Sequence, residues 1–167
     1  IVSSPSLYLH LSGYENLKQR ARLLENKVSE KEIEEIVSLV GLQGRIHEKV
    51  QNYSLGMKQR LGIASALIGR PQIIILDEPI NGMDPEGVIA IRELILHLAK
   101  EEKITIFISS HLLGELEYIC DKILIINHGN QVLMTDVEQL KNSVDVQNFT
   151  LRVEQNVDVD IHSLLKS

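Results

Sequence analysis

The chain has 167 residues, 44% apolar and 24% charged, with a net charge of −6, which fits one globular domain or a large piece of one and argues against a wholly disordered chain. No basic stripe offsets the acidity, so duplex nucleic acid is not an expected partner. The single Cys120 rules out an internal disulfide, and no apolar run reaches the roughly 20 residues that a membrane-spanning helix needs.

Residues 1–12, "IVSSPSLYLHLS", read as the end of a strand followed by a loop, because Pro5 and the serines interrupt any periodicity. A helix is predicted over 13–27, with Leu17, Ala21 and Leu24 on one face. Ser29 and Glu32 have the spacing of a capping box. Ile33, Ile36, Val37 and Val40 follow at helical intervals, and Gly41 is the expected C-cap. Residues 42–53 read as a polar connection. Ser54 then caps a helix of about 15 residues that stops near Gly69 and Pro71.

"QIIIL" (72–76) is a continuous apolar run of the kind that forms a parallel strand buried on both faces. Asp84 precedes Pro85 at a first helical position, and Val88, Ile91, Leu94, Ile95 and Leu98 mark an amphipathic helix. "ITIFI" (104–108) is a second buried strand, 112–120 a short helix, and "KILIIN" (122–127) a third strand. Cys120 lies in an apolar stretch and reads as a structural thiol. "HGN" (128–130) signals a turn from which "QVLM" (131–134) pairs back, and 136–141 forms one more helix. In the tail, "NFTLRVE" is a candidate strand and "IHSLLK" a helical turn. Strands alternating with helices predict an α/β domain with a parallel sheet, preceded here by a mostly helical portion.

Ligands of open parallel sheets collect beyond the carboxyl ends of the strands, where Asp77 and Glu78 stand. Neighbouring strand residues point to opposite faces, so the two acids would have separate tasks. Asp77 suits magnesium, directly or through a water. Glu78 suits an attacking water, as general base or positioner. Alone, "LDEP" serves equally as a solvated strand end; four aliphatic residues before it and a proline after it narrow that alternative. His111 follows the next buried strand, where its imidazole could donate to a terminal phosphate and orient Glu78. An isolated "SSH" is more often a helix-capping histidine, and placement one strand over from the acids reverses the preference. His10, His47, His97, His128 and His162 have no such context. Ser54 and Gly56, in "YSLGMKQR", place free amides and a hydroxyl at a helix N-terminus, an arrangement that binds anions. For most S-x-G helices a plain N-cap is the competing meaning.

Together these residues resemble the ATP-binding subunit of an ABC transporter over roughly residues 1 to 140. "YSLGMKQR" is similar to that family's signature motif, commonly LSGGQxQR. "IIILDEP" resembles its Walker B strand with the catalytic glutamate, "NGMD" (81–84) its D-loop, and "SSH" (109–111) its switch histidine. "SLGMKQRLGIA" and "PSLYLHLSGYENL" are similar to the bacitracin- and lantibiotic-exporter branch.

The resemblance implies a partial P-loop NTPase fold of the ABC type, a parallel sheet flanked by helices with an inserted helical subdomain. Its expected divisions are the end of a Q-loop region (1–11), the helical subdomain (12–70), the α/β core (71–143) and a C-terminal extension (144–167). It further implies ATP and Mg2+ as ligands and a head-to-tail dimer that sandwiches two nucleotides. Transmembrane permease subunits would dock on the helical subdomain, at the cytoplasmic face of the plasma membrane. By carry-over, Ser54, Leu55, Gly56 and Met57 cap the nucleotide of the second ATP-binding subunit, and Asp84 belongs to the dimer contact. Asp77 serves the metal, Glu78 the water and His111 the γ-phosphate.

Three positions depart from the family pattern: Leu55 replaces a glycine, Met57 a glutamine, and Ser3 stands where the Q-loop glutamine is expected. The phosphate loop G-x-x-x-x-G-K-[ST] occurs nowhere in the 167 residues. The chain is therefore expected to be the C-terminal two-thirds of such a subunit, inactive alone, with a sheet edge and an apolar face laid bare. A naturally short chain that binds or regulates without catalysis is the alternative. A soluble ABC ATPase of DNA repair or translation is disfavoured by the acidity and the lack of zinc cysteines.

Overall fold

The computed structural model describes residues 7–24 and 28–143. Ser3, the strand expected at the start and both elements expected in the tail lie outside these residues. The chain divides into two compact units, Ile1–Asp121 and Lys122–Ser167.

The first unit begins with α1 (Gly13–Arg22) and α2 (Glu30–Leu39). Ser12 caps α1 in a reciprocal box. Its Oγ accepts the Glu15 N–H at 3.1 Å, while the Glu15 carboxylate accepts the Ser12 N–H at 2.7 Å. Asn16, one turn in, is buried with its amide satisfied, taking the Tyr8 N–H at 2.8 Å and donating to the Ser12 carbonyl at 2.8 Å. At Ser29 only half of the expected box forms: Ser29 Oγ accepts the Glu32 N–H at 3.1 Å. The Glu32 carboxylate instead accepts the N–H of Gly69, 37 residues away, at 3.1 Å. A charge-assisted bond to an otherwise orphan amide outweighs the local reciprocal bond. With Arg70 paired to Glu35 at 2.7 Å, it ties α2 to the end of the third helix.

Gly41 terminates α2 as expected. At φ +68° it allows the Gly41 and Leu42 N–H groups to reach the carbonyls of Ser38 and Val37, both at 3.0 Å, closing a Schellman motif. The stretch 42–53 is not merely a polar connection. Leu42, Ile46, Val50 and Tyr53 are all buried, Val50 within a single 3-10 turn. Their spacing turns one apolar residue inward at each bend, a pattern that a search for helix or strand periods misses.

α3 (Leu55–Leu67) is buried on most sides, among Leu61, Ile63, Ala64 and Leu67. It leads into β1 (Ile73–Asp77), α4 (Pro85–Lys100) and β2 (Thr105–Ser109). Ile91, Leu94, Ile95 and Leu98 form the buried stripe of α4. β1 and β2 pair in parallel with Asp77 opposite Ser109. One face of this pair carries the buried Ile74 and Leu76. On the other, Ile73, Ile75 and Phe107 are 56, 47 and 60% exposed. Burial on both faces, read from the apolar run, is thus realised on one face, and the other is apolar and exposed. The helix expected over 112–120 is shortened to α5 (Leu113–Leu116), after which i to i−3 bonds at Tyr118 and Ile119 tighten the chain into turns.

In the second unit, β3 (Lys122–Asn127) pairs antiparallel with β4 (Asn130–Asp136), the hairpin expected from the turn between them, and α6 (Val137–Ser143) follows. The two-residue loop His128–Gly129 has φ +46° and +78°, the twist that hairpin strands favour. A bulge lies opposite the Ile125–Ile126 step.

Candidate functional site

β1 and β2 end side by side, so their register decides which side chains meet. Asp77 is the last residue of β1 and Glu78 the first beyond it. Glu78 adopts φ +49°, a left-handed conformation that costs a non-glycine residue about 1–3 kcal/mol and persists where surroundings enforce it. Two acceptors on one residue supply that constraint. The Glu78 N–H donates to the Ser109 carbonyl at 3.0 Å and lies 3.3 Å from Ser109 Oγ. The same hydroxyl donates to Asp77 Oδ1.

This turn carries the Glu78 carboxylate toward His111, whose Nδ1 lies 2.9 Å from Glu78 Oε1. The Glu78 side chain is 31% exposed and that of His111 62%. Glu78 Oε2 is shut off from solvent and has no hydrogen-bond partner. A buried orphan carboxylate oxygen is costly unless a donor such as a water or ligand completes it. The three residues singled out at the strand ends are therefore brought together: His111 holds one oxygen of Glu78, and Asp77 is tied to the neighbouring strand. Ser109, which sequence reasoning left without a role, links them. The "SSH" tripeptide was the available signal, but only the register reveals which serine faces Asp77.

The donor set suits magnesium. Among the described residues no three His, Cys, Asp or Glu side chains gather as a metal cage. Magnesium asks for one or two carboxylates and otherwise keeps water and phosphate oxygens. Asp77 offers one carboxylate, with Oδ1 engaged by Ser109 and Oδ2 bonded to no described residue.

At the N-terminus of α3, Ser54 adopts extended backbone and its Oγ accepts the Met57 N–H at 3.2 Å. The N–H groups of Leu55 and Gly56 have no intrahelical acceptor, as first-turn amides do not, and Leu55 is half exposed. This first turn lies against the segment 81–84 of the same chain. A Cβ placed on Gly56 would lie 3.1 Å from Met83 Cε, and one on Gly82 3.7 Å from Leu55 Cδ2. Asp84 occupies the N-cap position of α4 without a side-chain cap hydrogen bond, and Pro85 follows it.

Residues 4–81 match the family model described as ABC transporter. The chain is 46% identical over 157 residues to the uncharacterized ABC transporter ATP-binding protein YhcH of Bacillus subtilis, covering 93% of this chain and 50% of that protein. It is 44% identical over 140 residues to the bacitracin transport ATP-binding protein BcrA of Enterococcus faecalis, covering 84% and 45%. With the lantibiotic transport ATP-binding protein SrtF of Streptococcus pyogenes it shares 41% over 155 residues, covering 93% and 66%. The chain thus spans about half the length of the first of these relatives. Among solved structures, CbiO1 of Clostridium perfringens, part of the ABC transporter complex CbiONQ, superposes with a TM-score of 0.72 at 27% identity, covering 82% of this chain and 55% of that one.

Proposed function

Because the chain belongs to the ATP-binding proteins of ABC transporters, in the branch of the bacitracin and lantibiotic transport proteins, we propose that it supplies the hydrolytic half of an ATP site that powers peptide export. The observation that carries this is the state of Glu78: one carboxylate oxygen held by His111, the other buried and lacking a partner at the end of a parallel strand. Glu78 accepts a proton from, and aligns, the water that attacks the γ-phosphate. General-base assistance of this kind is worth about 10²–10⁴ in rate. His111, holding Glu78 through Nδ1–H, can also donate through Nε2 to a γ-phosphate oxygen in its imidazolium form, which has two N–H donors. Asp77 holds Mg2+, directly or through a water; when bound, the ion neutralises charge on the phosphates.

The first turn of α3 acts on a different nucleotide. The Ser54 hydroxyl and the Leu55, Gly56 and Met57 backbone close over the ATP of a second ATP-binding subunit in a head-to-tail dimer, where helix-terminal amides favour anionic oxygens. Asp84, next to the Gly82–Met83 pair that packs against that turn, stands at the same dimer contact. The helical subdomain receives the permease subunits at the cytoplasmic face of the membrane, consistent with the absence, among the described residues, of any helix long and apolar enough to cross it. Antimicrobial peptide is the cargo suggested by the relatives.

Because the chain contains no G-x-x-x-x-G-K-[ST] loop, it is expected to bind Mg2+ and ATP weakly and to show no turnover by itself. Joined to the portion of the Bacillus subtilis relative outside the matched stretch, it is expected to hydrolyse ATP. A coupled phosphate-release assay on both proteins tests this. Turnover by the 167-residue chain that disappears on Glu78→Gln, or none from the completed protein when folded and dimeric, would contradict the proposal.

A further inference from the structure

We propose that Ser109 is a positioning residue that decides which oxygen of Asp77 faces the metal and holds the backbone that aims Glu78. This deepens, and rests on, the reading of Asp77 as the metal carboxylate. A serine hydroxyl has one proton and two lone pairs. Here the proton goes to Asp77 Oδ1, and the oxygen approaches the Glu78 N–H at 3.3 Å. One hydroxyl on β2 thus serves two consecutive residues of β1, made possible by the register that sets Asp77 opposite Ser109.

Two consequences follow. Asp77 is turned so that Oδ2 is the oxygen left for coordination, which makes it a one-oxygen ligand of the kind that octahedral magnesium accepts. Glu78 is also kept in its left-handed turn, with the Ser109 carbonyl taking the same N–H at 3.0 Å. Partners that orient a metal-binding side chain typically contribute 10–100-fold to metal affinity. Ser109 is exposed, and the carbonyl bond survives any substitution of its side chain, so the hydroxyl can be removed with the strand pairing intact.

The test uses the 167-residue chain and Mn2+ alone, with paramagnetic broadening of backbone amide signals as the readout of weak binding. In the parent chain, the amides of 77, 78 and 109–111 are expected to broaden first. Ser109→Ala is expected to need about tenfold more Mn2+ for the same broadening at Asp77. Ser109→Cys, which keeps the shape but donates weakly, should behave like alanine, whereas Ser109→Thr, which keeps the hydroxyl, should match the parent. A purely structural serine would lower the melting temperature in the alanine variant without moving the Mn2+ response. Equal or tighter binding by Ser109→Ala, or failure of threonine to restore it, overturns the proposal while leaving Asp77 as the metal carboxylate. Absence of broadening at Asp77 in the parent chain overturns both.

Discussion

Ser54 offers a perturbation in which folding and function separate. In the structure its side chain makes one bond, the 3.2 Å cap to the Met57 N–H. Ser54→Ala removes that cap and should destabilise the chain by about 1 kcal/mol. For a chain of this size that corresponds to a melting temperature roughly 2–4 °C lower. Ser54→Asp keeps an excellent cap and adds a favourable charge at the helix N-terminus, worth about 0.3–1 kcal/mol, so its melting temperature should equal or exceed the parent's. The functional order is the reverse. Alanine merely removes a donor from the partner's γ-phosphate, whereas aspartate sets a negative charge against it. Thermal unfolding followed by circular dichroism gives the first order, and ATP turnover of the completed dimer gives the second. The expected result is at least a tenfold loss of turnover for alanine, about 1.4 kcal/mol in the barrier, and a deeper loss for the more stable aspartate variant. Parental turnover from Ser54→Asp would refute the assignment of this turn to a phosphate and leave Ser54 as a helix cap.

Other outcomes follow from the same coordinates. The backbone and hydroxyl of Ser12 hold the Glu15 carboxyl below its ordinary 4.5. Its contribution to stability is therefore complete above that value and lost as pH falls through the depressed folded value; Glu15→Gln should flatten the acid limb of a stability-against-pH curve and leave its neutral region little changed in slope. Burial, with some help from Asp121, pushes the Cys120 thiol up, so a disulfide reagent should label it slowly at neutral pH in the native chain and many-fold faster in denaturant. The exposed stripe of Ile73, Ile75 and Phe107 should drive self-association; Phe107→Ser should shift sedimentation toward monomer while changing stability by less than about 0.5 kcal/mol, as exposed sites do.

Much of this molecule is legible in the sequence because its signals are local. Ser54 caps α3 and Gly41 ends α2 through bonds to residues close by in sequence, and Pro85 opens α4 through its fixed φ. The α4 stripe was readable from its period. Where the sequence misled, a distant partner had won. Glu32 has capping-box spacing but bonds Gly69, and the box that does form, at Ser12 and Glu15, lay at the edge of what read as loop. The hairpin of 122–127 with the strand after the His128–Gly129 turn, by contrast, was readable from its turn residues and forms as expected. Leu42, Ile46, Val50 and Tyr53 are core residues in a stretch with no regular period. At the site, residue types and motif order pointed to Asp77, Glu78 and His111. The tie through Ser109 depends on strand register, which no single strand encodes.

The central claim concerns the water-facing role of Glu78, and Glu78→Gln in the completed subunit tests it most directly. Glutamine preserves size and can still meet His111, but it cannot take a proton. Hydrolysis measured by phosphate release should fall by at least about 10², while ATP affinity measured by equilibrium binding stays within about threefold, because Glu78 makes no ground-state contact on which nucleotide binding relies. Turnover near the parental rate, or loss of ATP binding in step with loss of hydrolysis, would contradict the account.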